Sequence, residues 1–271
     1  MSTMDRYSQR QRRKTEIKVR ASRQSHMYKY CRIIGCGKPS RAGTSDGLDT
    51  RYCQSHADQF QRHGSPYKKS YPGKVLNPYR RVAFGWLKEN KDNFRVENAV
   101  ERINGLYQRA GPHEEASSLR GRTAAERATI HWARLRKAGI DPLLVVAAWL
   151  SVEMVIKDDK QPVYTKEFRR VQAAKLVHRM ASGTHRRWEQ EIRDLNHPGR
   201  MKVHVTEMHV YPRSRGRILR HIGVDLERAV ELLVDYHIKD MRQFKTAQEM
   251  RHSFSDRPYP KGTVSRKRKN S

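Results

Sequence analysis

The stretch Asp141-Pro-Leu-Leu-Val-Val-Ala-Ala-Trp-Leu-Ser-Val-Glu-Met-Val-Ile156 decides the architecture. From Pro142 to Ile156 the chain runs 15 residues with Glu153 as its one charge. Crossing a bilayer takes roughly 18 or more apolar residues, so this run is too short and reads as a buried core helix. Asp141 offers a side-chain cap, and Pro142 suits the first helical position.

The flanking sequence is helical as well. Upstream, Thr123-Ala-Ala-Glu126 is a capping box opening a helix that stops at Gly139. Phe94 to Arg109 sets Val96, Val100, Ile103 and Tyr107 at helical spacing, and Asn77-Pro78 opens a helix running to Asn90. Downstream, Thr165 starts a helix to Ser182, and His185 to Leu195 is predicted as another, closed by Asn196-His-Pro198-Gly199. Ser214 to Ile222 and Asp225 to His252 complete the set on either side of Gly223. Met201 to Tyr211, with Val203, Val205 and Val210, alone has the alternation of a strand. The fold class expected is therefore mainly α: a small N-terminal module, then a multi-helix body with at most a short β element, flanked by basic disordered tails. The expected division is a basic flexible arm over 1–27, the small module over 28–72, a helical domain over 73–200, a short strand plus C-terminal helices over 201–256, and a basic disordered tail over 257–271.

Charge bounds the partners. The 271 residues hold 57 Lys and Arg against 28 Asp and Glu, a formal net charge of +29. Residues 1–72 carry 16 basic and 5 acidic side chains, and residues 257–271 carry 6 basic and none acidic. An excess of this size describes association rather than fold, and nucleic acid is the polyanion it suits. Three cysteines exclude a disulfide-stapled secreted scaffold. Met1 to Lys14 has neither the apolar region of a secretory signal nor the apolar face of a transit helix. The expected location is the cytoplasm, beside the nucleoid in a bacterial or phage-infected host, or the nucleus in a eukaryote, with no membrane partner.

The one site the sequence declares is Cys31-x4-Cys36 followed by Cys53-x2-His56, which gathers every cysteine of the chain within 26 residues. Zinc takes thiolate and imidazole ligands in a closed tetrahedron, commonly as two short-spaced pairs. His63 competes with His56 for the fourth position. Spacing favours His56, and the place of His63 before Gly64 suits a hydrogen-bonding role at a helix end.

With Arg62-His63-Gly64-Ser65-Pro66 behind it, this segment resembles the small zinc finger of phage and mobile-element proteins. In that family two cysteine-containing turns precede a Cys-x2-His, a short basic-aromatic helix and an Arg-His-Gly-Asp-Pro ending. The module occurs beside HNH nuclease and helix-turn-helix domains. The resemblance implies one structural Zn²⁺ on Cys31, Cys36, Cys53 and His56. Ser65 departs from the family's acidic residue, and the loop between Cys36 and Cys53 is long. About 40 residues are covered.

Phosphate contacts need cationic donors, and aromatics can stack on bases. The candidates are Arg10, Arg12, Arg13, Lys14 and Arg20 in the arm and Arg51, Arg62, Lys68 and Lys69 around the finger. Arg169 and Arg170, with Lys175, His178 and Arg179, form one basic face on the 165–182 helix, Arg186 and Arg187 follow directly, and Arg215 and Arg217 lie before Gly223. Tyr52 and Phe60 read as a miniature core over the metal. Of two helix-turn-helix candidates, 123–156 fails because its second helix is apolar, and the one around Gly223 has an amphipathic second helix suited to packing or dimerisation. Phosphodiester chemistry needs a metal-holding carboxylate or histidine set. His204, Glu207 and His209 do not form one, since strict alternation puts His204 on the face opposite the other two. The expected function is a non-enzymatic zinc-finger protein binding double-stranded DNA, a phage or mobile-element regulator of transcription or replication, with homodimerisation open. The alternatives are a finger-targeted nuclease and an RNA- or ribosome-binding protein.

Overall fold

The computed structural model describes residues 3–22, 30–40, 42–44, 47–181, 184–193, 201–211 and 216–253, with side chains for all of these except 3–7, 20–22, 184–186 and 248–253. Its central element is the apolar helix, numbered α6 in chain order (Pro142–Asp158), in which every residue from Val145 to Ile156 is buried. The Asp141 side chain accepts from the Leu143 N–H, as the cap-then-proline order requires. Around α6 pack α3 (Gly73–Glu89), α4 (Phe94–Arg109), α7 (Lys166–His178) and α8 (Gly216–Ser253), while α5 (Ala124–Lys137) packs on α4 and α8. A single apolar cluster from Leu76 on α3 to Met241 on α8 joins all six. The Thr123–Glu126 capping box forms in full, and Asn93 and Thr165 cap α4 and α7.

The remaining elements are a helix α1 (Thr3–Ser22), a small antiparallel pair β1 (Ala42–Thr44) and β2 (Gly47–Asp49), a helix α2 (Gln54–His63), and a longer pair β3 (Thr184–Arg193) and β4 (Met201–Val210). Among the described residues the molecule is thus helical, with two two-stranded sheets. The mainly α class with a short β element is what the sequence predicts.

Four local expectations are corrected. The arm expected to be flexible is helical over Thr3–Ser22. That segment contains neither Gly nor Pro and is rich in Arg, Lys and Gln, which favour helix, and Arg10 holds it to the body by donating to the Arg122 carbonyl at 3.2 Å. The helix predicted from Asn77 begins at Gly73, so Pro78 lies inside α3. Residues 185–195 form not a helix but β3, drawn into a ladder with β4 over ten register pairs. Finally, Gly223 is not a turn: α8 is continuous for 38 residues. The glycine serves close approach instead, since a Cβ there would lie 2.5 Å from the Arg170 Cβ and 2.7 Å from its carbonyl oxygen. The boundary drawn at residue 200 falls between β3 and β4, and the tail over 257–271 lies outside the described residues.

Candidate metal centre and basic surface

The cysteine pairs are brought together by backbone. Between Cys31 and Cys36 the chain turns back on itself: the Cys36 N–H donates to the Ile33 carbonyl at 3.0 Å, and Cys31 N–H to Lys38 at 2.9 Å. Gly35 takes the left-handed φ of +80° that this turn requires. Cys53 stands at the N-cap of α2 and His56 one turn further on. The Arg32 N–H, donating to Arg51 at 2.9 Å, ties the two halves.

Four donor atoms converge. Cys31 Sγ is 3.3 Å and Cys53 Sγ 3.4 Å from His56 Nδ1, and Cys36 Sγ is 3.9 Å from Cys53 Sγ. All four lie within 4.8 Å of one another, and this group could hold a metal ion. Cys31 and Cys53 are buried, whereas Cys36 and His56 are half-buried. Burial pushes the Cys31 thiol up, but hydrogen bonds from the backbone of Cys53 and Ile33, with His56 and Cys36, outweigh it and bring the pKa to about 7. Burial raises that of Cys53. The expected pairing of Tyr52 with Phe60 is present, ring centroids 5.6 Å apart, with Arg51 over both rings.

His63 is not among the converging donors. It ends α2, and its Nδ1 accepts from the Ser70 N–H at 3.1 Å and from Lys175 Nζ at 3.1 Å. Burial, followed by the charges of Lys175, Arg62 and Lys69, lowers its pKa. Gly64 behind it has φ +75°, and a Cβ there would stand 2.7 Å from the Glu167 carbonyl oxygen. The Arg-His-Gly-Ser-Pro segment is therefore where the module seats on α7.

Several cations that the sequence offered to phosphate are instead engaged within the fold. Lys68 is held by Asp159 and the Gln161 carbonyl. Arg169 pairs with the buried Glu153 at 3.2 Å, where burial pushes the carboxyl's pKa up despite the guanidinium. Arg170 pairs with Glu227 on α8. Arg220 pairs with Glu167 and donates to the Phe60 and Gln61 carbonyls, both at 3.2 Å. Arg51 pairs with Asp49 at 3.0 Å. Arg169 and Arg170 on α7 are thus half-buried in ion pairs to α6 and α8, and Lys175 is half-buried too, its pKa lowered to about 8 by burial and by the exposed Arg179.

The exposed remainder lies elsewhere. Arg12, Arg13 and Lys14 are exposed on α1, as are Arg62 and Lys69 beside the metal group, Arg187 on β3 and Arg217 on α8. Arg32 and Lys38, exposed at the first cysteine turn, join them. The side chains of Arg20 and Arg186, and Arg215 altogether, lie outside the described residues.

On β4, Glu207 and His209 share a face, 3.4 Å apart, while His204 contacts Thr206 at 3.2 Å on the other, as alternation demands. What sequence reasoning missed was the partner strand. Its signal was present in the alternation of Trp188, Gln190 and Ile192 with Arg187, Glu189 and Glu191, but a ten-residue polar stretch after a helix gave helix periodicity as well.

No protein-family model, curated protein or solved structure matches this chain.

Proposed function

We propose that the chain is a non-enzymatic, zinc-containing DNA-binding protein. The observation that carries the reading is the convergence of Cys31, Cys36, Cys53 and His56. Ligands at zinc's usual bond lengths, about 2.3 Å to sulfur and 2.0–2.1 Å to nitrogen, stand about 3.8 Å apart for two sulfurs and about 3.6 Å for sulfur and nitrogen. The separations of 3.3, 3.4 and 3.9 Å fit that tetrahedron. When bound, zinc supplies on the order of 10–16 kcal/mol of folding free energy to a module poor in apolar residues. The chain's own part is to orient the thiols through backbone turns and to lower the pKa of Cys31, whose thiolate is the ligand form.

The exposed cations of α1 and of the module then face outward around a folded, docked finger. With a net charge of +29, they suit the phosphates of a duplex. The resemblance to the fingers of phage and mobile-element proteins supports a regulatory role in transcription or replication.

Elemental analysis should find one zinc per chain, and Cys31→Ser and Cys53→Ser should release it while leaving the helical circular-dichroism signal of the body largely in place. Retention of zinc by either variant overturns the ligand set. Duplex DNA should be retained at 150 mM salt against structured RNA competitor, and plasmid incubated with Mg²⁺ or Mn²⁺ should stay supercoiled. Preference for RNA, or metal-dependent nicking, overturns the proposal.

A further inference from the structure

The β3–β4 ribbon has no evident structural duty. Its strands pair with each other from Thr184↔Val210 to Arg193↔Met201, and among the described residues neither packs extensively on a helix. A lone two-stranded ribbon is marginal in water, yet this one leaves Trp188, Ile192, Met201, Val203 and Val205 exposed.

Its two faces differ in charge. The register puts even-numbered residues of both strands on one face and odd-numbered residues on the other. All three carboxylates of the strands, Glu189, Glu191 and Glu207, are odd. Glu207 there lies against Arg187 and His209. The even face presents Trp188, Gln190, Ile192, Lys202 and His204 to solvent, with Thr206, Met208 and Val210 half-buried beyond them, and carries no acidic group.

Resting on the DNA-binding reading above, we propose that the acid-free face of this ribbon enters the major groove of duplex DNA and reads base edges there. The groove is about 12 Å wide and admits a two-stranded ribbon, whose strands lie about 4.8 Å apart and run about 33 Å for ten residues. Gln190 has the paired donor and acceptor that match adenine, and Lys202 the donors that match guanine. Charge selects this occupant over a second copy of the chain, because two such faces would set Lys202 and His204 against their equivalents on molecules of +29 each. Shape selects it over double-stranded RNA, whose major groove is too narrow and deep for side chains to read.

The test begins with full-length zinc-loaded protein and a randomised 30-base-pair library, from which a retained duplex is taken as probe. Gln190→Ala and His204→Ala, on exposed positions of the ribbon, should each lower affinity for that probe by about 5- to 150-fold. Binding to a scrambled duplex should change less than about 3-fold. Lys202→Ala should also reduce the slope of log affinity against log salt by up to about 1. Glu191→Gln, on the opposite face, should leave the preference intact and serves as the folding control. If wild-type protein selects a duplex and the even-face variants keep that preference, the ribbon is not the reader, and the DNA-binding reading survives. If the even-face variants lose affinity for structured RNA more than for duplex, the groove assignment is overturned. If wild-type protein retains no duplex at all, the underlying DNA-binding reading falls first.

Discussion

Gly64 and Gly139 both sit in left-handed backbone, with φ of +75° and +63°, but their surroundings differ. Around Gly139 there is nothing within 4 Å, whereas a Cβ on Gly64 would meet Glu167 and Phe168 backbone at 2.7 and 2.9 Å. Gly139→Ala should therefore cost only the conformational penalty, about 1–2 kcal/mol. Gly64→Ala should cost clearly more in urea unfolding, because it also lifts the Cys3His module off α7. A second residue-level consequence concerns acid. His131 and His178 are both buried and stacked at 4.8 Å. Burial lowers both pKa values, with Arg134 close to each, and brings His178 from 6.5 to about 4. The folded protein thus holds these rings neutral, while the unfolded chain protonates them below 6.5. Their contribution is complete above pH 6.5 and lost as pH falls toward 4. Urea midpoints measured across that window should fall with pH, and His178→Gln should flatten the fall. At this scale the convergence of Cys31, Cys36, Cys53 and His56 into a group that could hold a metal ion was legible, because spacing between Cys and His constrains geometry directly. The fate of Arg169, Arg170 and Lys68 was not, because a cation's sequence position says nothing about a carboxylate 16, 57 or 91 residues away.

Elements are legible where local signals are complete. The caps at Thr123, Asp141 and Thr165 each accept from an N–H within three residues, so those helices start where predicted. Gly223 misled for the opposite reason. A glycine flanked by two helical patterns is the mark of a turn when read alone, and its actual role, admitting Arg170 of α7 against α8, is a tertiary fact. Gly223→Ala poses a contest of sign: alanine favours helix by about 1 kcal/mol, while overpacking of a close crossing costs about 1–3 kcal/mol. With Arg170 Cβ, carbonyl oxygen and Cα only 2.5–2.8 Å from the added methyl, backbone is involved and overpacking should dominate. A lowered melting temperature checks this. The ribbon strand β3 was hidden in the same way, since strand pairing is decided by a partner and this partner follows a seven-residue gap.

At the scale of the molecule, the count of 57 Lys and Arg overstates the cations left unpaired for a polyanion. Arg169, Arg170, Arg220 and Lys68 are each paired with a carboxylate, and Lys245 and Arg242 both bind Asp158. The field available to a polyanion comes from the unshielded cations, among which Arg12, Arg13 and Lys14 on α1 form one exposed group. Replacing these three with alanine should reduce the salt slope of duplex binding by up to about 3, close to one for each phosphate no longer neutralised. Replacing Lys68 should leave the slope unchanged. Titration of affinity between 50 and 200 mM salt separates the two.

The start of α8 carries one more implication. Gly216 has no room for a side chain against the Gln61 carbonyl, and Arg220 one turn on grips the same stretch of α2. The Cys3His module is thereby keyed to this particular helix. It is no interchangeable cassette: exchanging residues 28–72 for a foreign finger of the same ligand spacing should yield a stable hybrid only when the lock at 216 and 220 is recut to match.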